Sequence, residues 1–192
     1  MSAKEDIINK CRTTLDYPMP ALDDIAAVKY PDPFAQFVSM SAAVGSKVVE
    51  LQPGEELDTL LRSLFPEAVN IASNLPEIGI ANRNPDTVGR ASELDGTDVG
   101  VVRGSLGVAE NGCIWVPQTM KERVVCFISE HLVILLPKES IVNNMHEAMK
   151  LIRVGDYGYG CFISGPSKTA DIAQVLVMGA QAARSLTVVL LP

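Results

Sequence analysis

Residues 131–152 read HLVILLPKESIVNNMHEAMKLI, and the fold class turns on them. HLVILLP is nearly continuous apolar sequence, the pattern of a strand covered by helices on both faces. A helix should follow. Ser140 is placed to cap it, and Ile141, Met145, Ala148, Met149 and Ile152 form its apolar stripe.

Upstream, VGVVRG at 99–104 predicts another strand. LGVAENGCIWVP at 106–117 sets Asn-Gly between two apolar stretches, a hairpin signal because that dipeptide tolerates the positive φ angles of a type I′ turn. Earlier still, KVVEL (47–51) and AVNIAS (68–73) read as strands on either side of PGEELDTLLRSLF. There Leu57, Leu60, Leu61 and Leu64 fall at helical spacing with acids in the first turn, so a parallel βαβ unit is expected. PDPFAQFVSMSAAVG (31–45) predicts a helix begun by Pro33 and stopped near Gly45. Ile7, Ile8, Cys11 and Leu15 mark one face of an N-terminal helix.

Downstream, GCFISG (160–165) reads as a strand, followed by a helix with Ile172, Val175, Leu176 and Gly179 on one face. LTVVLLP (186–192) closes the chain as a last strand. The polar, Pro- and Gly-broken stretch at 81–98 is expected to be a long exposed loop within one domain covering 1–192. The fold class is α/β, a three-layer domain with a mostly parallel sheet and an inserted β-hairpin.

Composition narrows the function. At 192 residues, 47% hydrophobic and 20% charged, the chain resembles an ordinary globular domain. Its net charge of −7 repels nucleic acid and anionic membrane on average, and 5% aromatic residues leave little for bases to stack on. Cys11, Cys113, Cys126 and Cys161 form no C-x-x-C pair, so close-spaced zinc and iron–sulfur ligands are missing and no bound cofactor is expected. MSAKEDIINK carries no signal-peptide pattern, and the longest apolar run, LVILL, is too short to span a bilayer. A cytoplasmic protein, with no nucleic-acid or membrane partner, is expected.

The strand-to-turn segment GCFISGPSKT, 160–169, imitates a phosphate loop, because Gly160 and Gly165 are spaced correctly. Pro166 occupies the lysine position, so it is not one. Ser164, Gly165, Ser167, Lys168 and Thr169 could still hold an anion at a helix start, although Asp171 would repel it. The residues alone favour a structural turn. Arg103 could meet an anion at the sheet's carboxyl edge or be a surface arginine. His131 reads as a satisfied structural imidazole and His146 as solvated. With two histidines in the chain and no clustered carboxylates, a mononuclear metal site is not expected.

FISGPSKTADI, with the apolar stretch and RSLTVVLL that follow, resembles the C-terminal signature of the LUD-domain family, the LutC/YkgG-type lactate-utilisation proteins. GVAENG stands where that family has an Ala-Glu-Thr-Gly motif, and HLVILLPKESIVNNMHEAM follows its next strand and helix. The likeness covers about residues 98–192. It implies a NagB/RpiA/CoA-transferase-like fold and an accessory role in oxidising L-lactate to pyruvate beside iron–sulfur lactate-utilisation proteins. The chain departs from the family at Ala173, where Glu is common, and at Gln181, Ala182 and Ala183, where His-Gly-Pro is common. If those residues serve the family's activity, it is altered or lost here.

Glu110, with Asn111 and Gly112, is similar to the glutamate motif of CoA transferases, where a carboxylate attacks an acyl-CoA. That alternative implies an enzyme or binding protein for a CoA ester or sugar phosphate. The plainer reading is a solvated glutamate in a hairpin turn, and three residues favour the plainer one. A homodimer is the default assembly.

Overall fold

A computed structural model describes residues 3–13, 26–170, 176–179 and 182–192. In chain order the elements are α1 (Ala3–Thr13), α2 (Pro33–Ala43), β1 (Lys47–Glu50), α3 (Leu57–Leu64), β2 (Ile71–Ala72), β3 (Val99–Arg103), β4 (Leu106–Val108) and β5 (Cys113–Pro117). Then follow α4 (Val125–Ile128), β6 (His131–Pro137), β7 (Ile141–Val142), α5 (Met145–Leu151), β8 (Gly160–Ile163), β9 (Lys168–Ala170), β10 (Leu176–Met178) and β11 (Ser185–Leu191).

The central sheet runs β1-β11-β6-β3-β2, and every pairing in it is parallel. Strand β6 sits in its middle, which explains the unbroken apolar run. Leu132, Ile134 and Leu136 enter one core with Phe37 of α2, Val125 of α4 and Ile114 of β5. Val133 and Leu135, pointing the other way, join Leu60 and Leu61 of α3. The expected α/β architecture with a mostly parallel sheet is present. β1 and β2, however, lie at opposite edges, so α3 crosses the whole sheet rather than joining neighbours.

A second sheet, ordered β7-β4-β5-β8, packs its inner side on the first core. Its outer side makes a small core of Leu106, Val108 and Trp115 with Ala148 of α5. The predicted hairpin is β4–β5, but its connection is four residues, 109–112, rather than a two-residue turn. Gly112 N–H bonds Val108 O at 2.9 Å, and Gly112 alone among the four is a glycine with positive φ, +65°. GCFISG is a strand as predicted, yet it is an antiparallel edge of this second sheet and not part of the central one.

Two helix expectations are corrected. Ser140 does not cap the helix after β6: residues 138–140 form a 3₁₀ turn, Ile141–Val142 pair with β4, and Asn144 caps the shorter α5 through Glu147 N–H. Asn144 is the better cap because its amide also donates to Val28 O at 2.7 Å, tying down the segment before α2. The helix expected after the Gly-Pro-Ser-Lys-Thr turn is instead strand at both described ends: β9 pairs antiparallel with β10, Met178 opposite Lys168. Leu176 and Val177 follow Val175 in the sequence, and so short an apolar run suits either period. Ile172, Val175 and the family departures at Ala173 and Gln181 lie outside the described residues.

Helix α2 keeps its predicted bounds, with Asp32 accepting from Ala35 N–H as N-cap and Gly45 at φ +89° just past its end. The stripe on α1 is not buried: Ile7, Ile8 and Cys11 are exposed, while Leu15 lies outside the described residues. The 81–98 connection is mostly exposed, but Pro85, Leu94 and Thr97 are buried and anchor it.

Candidate functional site

The C-terminal end of α2 is where the two motif turns meet. Gly112 sits so close that a β-carbon there would lie 2.9 Å from Ser41 N. Gly165, at φ +74°, faces Val44 O even more tightly, so both turns need glycine for their approach to the helix end. Ser164 Oγ donates to Asn111 O at 3.1 Å and links the two segments directly. The structure therefore brings together Glu110, Asn111, Gly112, Ser164, Gly165 and Lys168 from regions some fifty residues apart.

What their polar groups do is largely structural. Lys168 Nζ donates to Val44 O at 2.5 Å, placing a cation on the terminal carbonyls of α2. Ser167 N–H donates to Ala183 O, and Gly179 N–H to Ser167 O, which holds the β9–β10 ribbon against the start of β11. Among the described residues of this turn Lys168–Ala170 are strand, so these three offer no helix N–H groups to an anion. Thr169 enters the ribbon opposite Val177, and Asp171 lies outside the described residues. Glu110 Oε2 accepts Met145 N–H at 3.0 Å at the start of α5, where the helix dipole favours a carboxylate. Asn111 Oδ1 accepts Cys113 N–H at 3.1 Å, a local turn bond.

Cys113, beside Ser164 and Glu110, was not singled out by sequence. Burial pushes its thiol upward, the Ser164 hydrogen bond partly offsets this, and the Glu110 charge adds to it. The group stays a neutral thiol near pH 7. Arg103 is elsewhere, at the end of β3, ion-paired with Glu77. Among the described residues, no three His, Cys, Asp or Glu side chains come together as a metal site.

A well-formed cavity lies away from both motifs. It is about 490 Å³ and opens at the amino edge of the central sheet, between α3's exit and the starts of β1, β6 and β11. His131 Nδ1 and Ser185 Oγ are 2.7 Å apart there, paired across neighbouring strands, and the Phe65 ring packs 5.2 Å from the imidazole. His131 is satisfied, as its sequence position suggested, but by a residue 54 positions away at the mouth of a cavity. Its period-two position on β6, shared with Val133 and Leu135, was the available signal. His146 has no such setting. No helix among the described residues is long and apolar enough to cross a membrane.

Comparison with known proteins agrees with this architecture. The family model described as LUD domain matches residues 86–191, more than half the chain. A Lactate utilization protein C 1 from Bacillus mycoides is 34% identical over 89 residues, 43% of this chain and 38% of that protein. A Lactate utilization protein C from Shouchella clausii is 31% identical over 102 residues, 50% of this chain and 44% of its own length. The matched stretch thus spans less than half of each relative. A DUF162 family protein of known crystal structure from Deinococcus radiodurans shares the fold, with TM-score 0.65 and 14% identity over 86% of this chain and all of that one.

Proposed function

Because the chain belongs to the LUD-domain family, we propose that it is an accessory component of an iron–sulfur-dependent system that oxidises L-lactate to pyruvate. The observation that carries this reading is the match of the 86–191 domain together with similarity to proteins named lactate utilization protein C. Oxidation of the hydroxy acid releases two electrons and two protons. In this reading the electrons leave through iron–sulfur clusters on partner chains, and this chain binds no cofactor itself.

The geometry supports an accessory role over a CoA-ester or sugar-phosphate enzyme built on Glu110. Glu110 Oε2 accepts a helix N–H and Lys168 donates to a helix carbonyl, so both side chains have a structural use that needs no substrate. The joined turns on α2 give the family signature a rigid surface through which a partner could be met.

The test is native isolation of the full chain from its own cells grown on L-lactate, with iron, sulfide and co-purifying chains assayed in the eluate. Cysteine-rich chains carrying iron and sulfide in stoichiometric amount are the expected result. A chain recovered alone and iron-free, from cells shown to contain those partners, overturns the reading. An intact-mass adduct on Glu110 after incubation with an acyl-CoA would instead establish the enzyme.

A further inference from the structure

We propose that Met120, Cys126 and Cys161 form a binding site for a single Cu(I) ion. The inference rests on these three sulfurs and not on the lactate role.

The three residues come from separate parts of the chain: the loop after β5, helix α4 and strand β8. Side chains alternate along β8, so Phe162 joins the outer core of the second sheet while Cys161 and Ile163 pack inward. Met120 and Cys126, both 4% exposed, belong to that same inner core. All three line one cavity of about 10 Å³, room for a single atom rather than an organic ligand. Arg123 and Tyr159 share the lining, with the guanidinium 4.2 Å over the phenol ring.

The donor set chooses the ion. No imidazole and no carboxylate lines this cavity, so the four N or S ligands of a closed zinc site and the oxygen cage of a hard cation are both missing. Two thiols and a thioether suit a soft ion, and Cu(I) is satisfied by two or three such donors. Methionine completes a set that His, Cys, Asp and Glu alone do not reach among the described residues.

The surroundings fit the charge that binding creates. Burial pushes both thiols upward, Cys126 to about 12, and the nearby Cys161 raises Cys126 further. Both are therefore protonated at pH 7. Binding exchanges two thiol protons for one Cu(I), leaving a complex of charge −1 and releasing both protons to solvent. Tyr159 and Arg123 already favour the charged form of Cys161, the first through a hydrogen bond and the second through its charge. In the complex the phenol donates to a coordinating sulfur and the guanidinium balances the residual charge.

The test offers Cu(I), as its bicinchoninate complex, to the reduced full chain without oxygen and reads transfer from the loss of that complex's colour. Cys11→Ser with Cys113→Ser serves as the background, because neither residue lines the cavity. One equivalent should bind, with affinity rising about hundredfold per pH unit, as the release of two protons requires. The same equivalent should raise the melting temperature, because an ion held only by the folded cavity stabilises the fold. Cys161→Ala should weaken binding by at least about a hundredfold, and Met120→Leu and Tyr159→Phe by about tenfold each. Cys126→Ala should match Cys161→Ala; if it does not fold, the half-buried Cys161 on its edge strand decides. Unchanged affinity in a folded Cys161→Ala or Met120→Leu overturns the site. So does a rise of only about tenfold per pH unit, the signature of capture by one thiol. A melting temperature lowered by Cu(I) overturns it as well, since the metal would then be binding the unfolded chain. Stronger stabilisation by Zn(II) than by Cu(I) overturns the choice of ion.

Discussion

Strands β6 and β8 are both short, apolar and easily read as strands, yet they occupy opposite situations. Leu132 to Leu136 of β6 are all buried, with parallel neighbours on either side. None of Gly160–Ile163 in β8 is fully buried, and among the described residues the strand pairs only with β5, at the edge of the mixed sheet. Burial on both faces writes itself into composition; an edge position depends on which backbone happens to lie alongside. The family signature spans both kinds of region: FISGPSKT leaves the edge strand β8, and RSLTVVLL is the buried strand β11.

The largest expected effect breaks the comparison if it fails. Leu135→Ala in the central sheet should cost about 3–4 kcal/mol, the range for a fully buried leucine, read as a lowered urea midpoint. Phe162→Ala in β8, half-buried against Trp115 at 4.8 Å, should cost clearly less despite the larger side chain. Equal losses would show that the mixed sheet is as integral to the cooperative unit as the parallel one.

The turn that leaves β8 sharpens the contrast. Gly165→Ala places a β-carbon against Val44 O at positive φ, and about 2–3 kcal/mol should be lost through strain and displaced packing. Gly54→Ala, at φ +82° with nothing within 4 Å, should lose only the conformational part, about 1 kcal/mol. Similar urea midpoints for the two variants would mean that the 165–168 turn is not seated on α2.

These differences explain what the sequence disclosed. HLVILLP, LTVVLLP and VGVVRG named three neighbouring strands of the central sheet, because residues facing two cores have no polar alternation. Asp32-Pro33 fixed the start of α2 for an equally local reason, a side-chain cap and a preset φ. By contrast, Ser140 looked like a cap as readily as Asn144 does, and only the Val28 carbonyl on the far side of Asn144 separates them. The helix expected after Lys168 failed because a lysine bond to α2 and a ribbon partner decide that segment, and neither is local. The site was legible only in part. Glu110 and Lys168 were visible as residue types, but their partners Met145 and Val44 were not. His131 and Ser185 share no motif spacing, so their pairing could come only from the sheet register.

A smaller effect separates structure from ligand at the motif turn. Lys168→Met removes a cation from the C-terminus of α2 and should lower stability by about 0.5–1 kcal/mol. The loss should shrink in high salt, as an exposed electrostatic contact requires, when melting temperatures are compared at low and high ionic strength. If the variant melts like the wild type in buffer but forfeits a stabilisation that phosphate confers on the wild type, the turn is an anion site after all.

The smallest effect belongs to the amino edge of the central sheet. Asp98 is held below the usual carboxylate range by the Asn70 N–H bond and then the Val69 N–H bond, with burial opposing them. A depressed folded-state value means the carboxylate stabilises the fold above the unfolded pKa of about 3.9 and loses that contribution as pH falls through the folded value. Melting temperature should therefore fall between about pH 4 and the lower folded value of Asp98. Asp98→Asn keeps an oxygen for the two N–H groups but cannot titrate, so its melting curve should be flatter over that interval and slightly lower at pH 7. A parallel pair of pH profiles would show that the two bonds persist without the charge. The edge would then be held by the β2–β3 ladder alone, and Asp98 would be free to act on whatever enters the cavity.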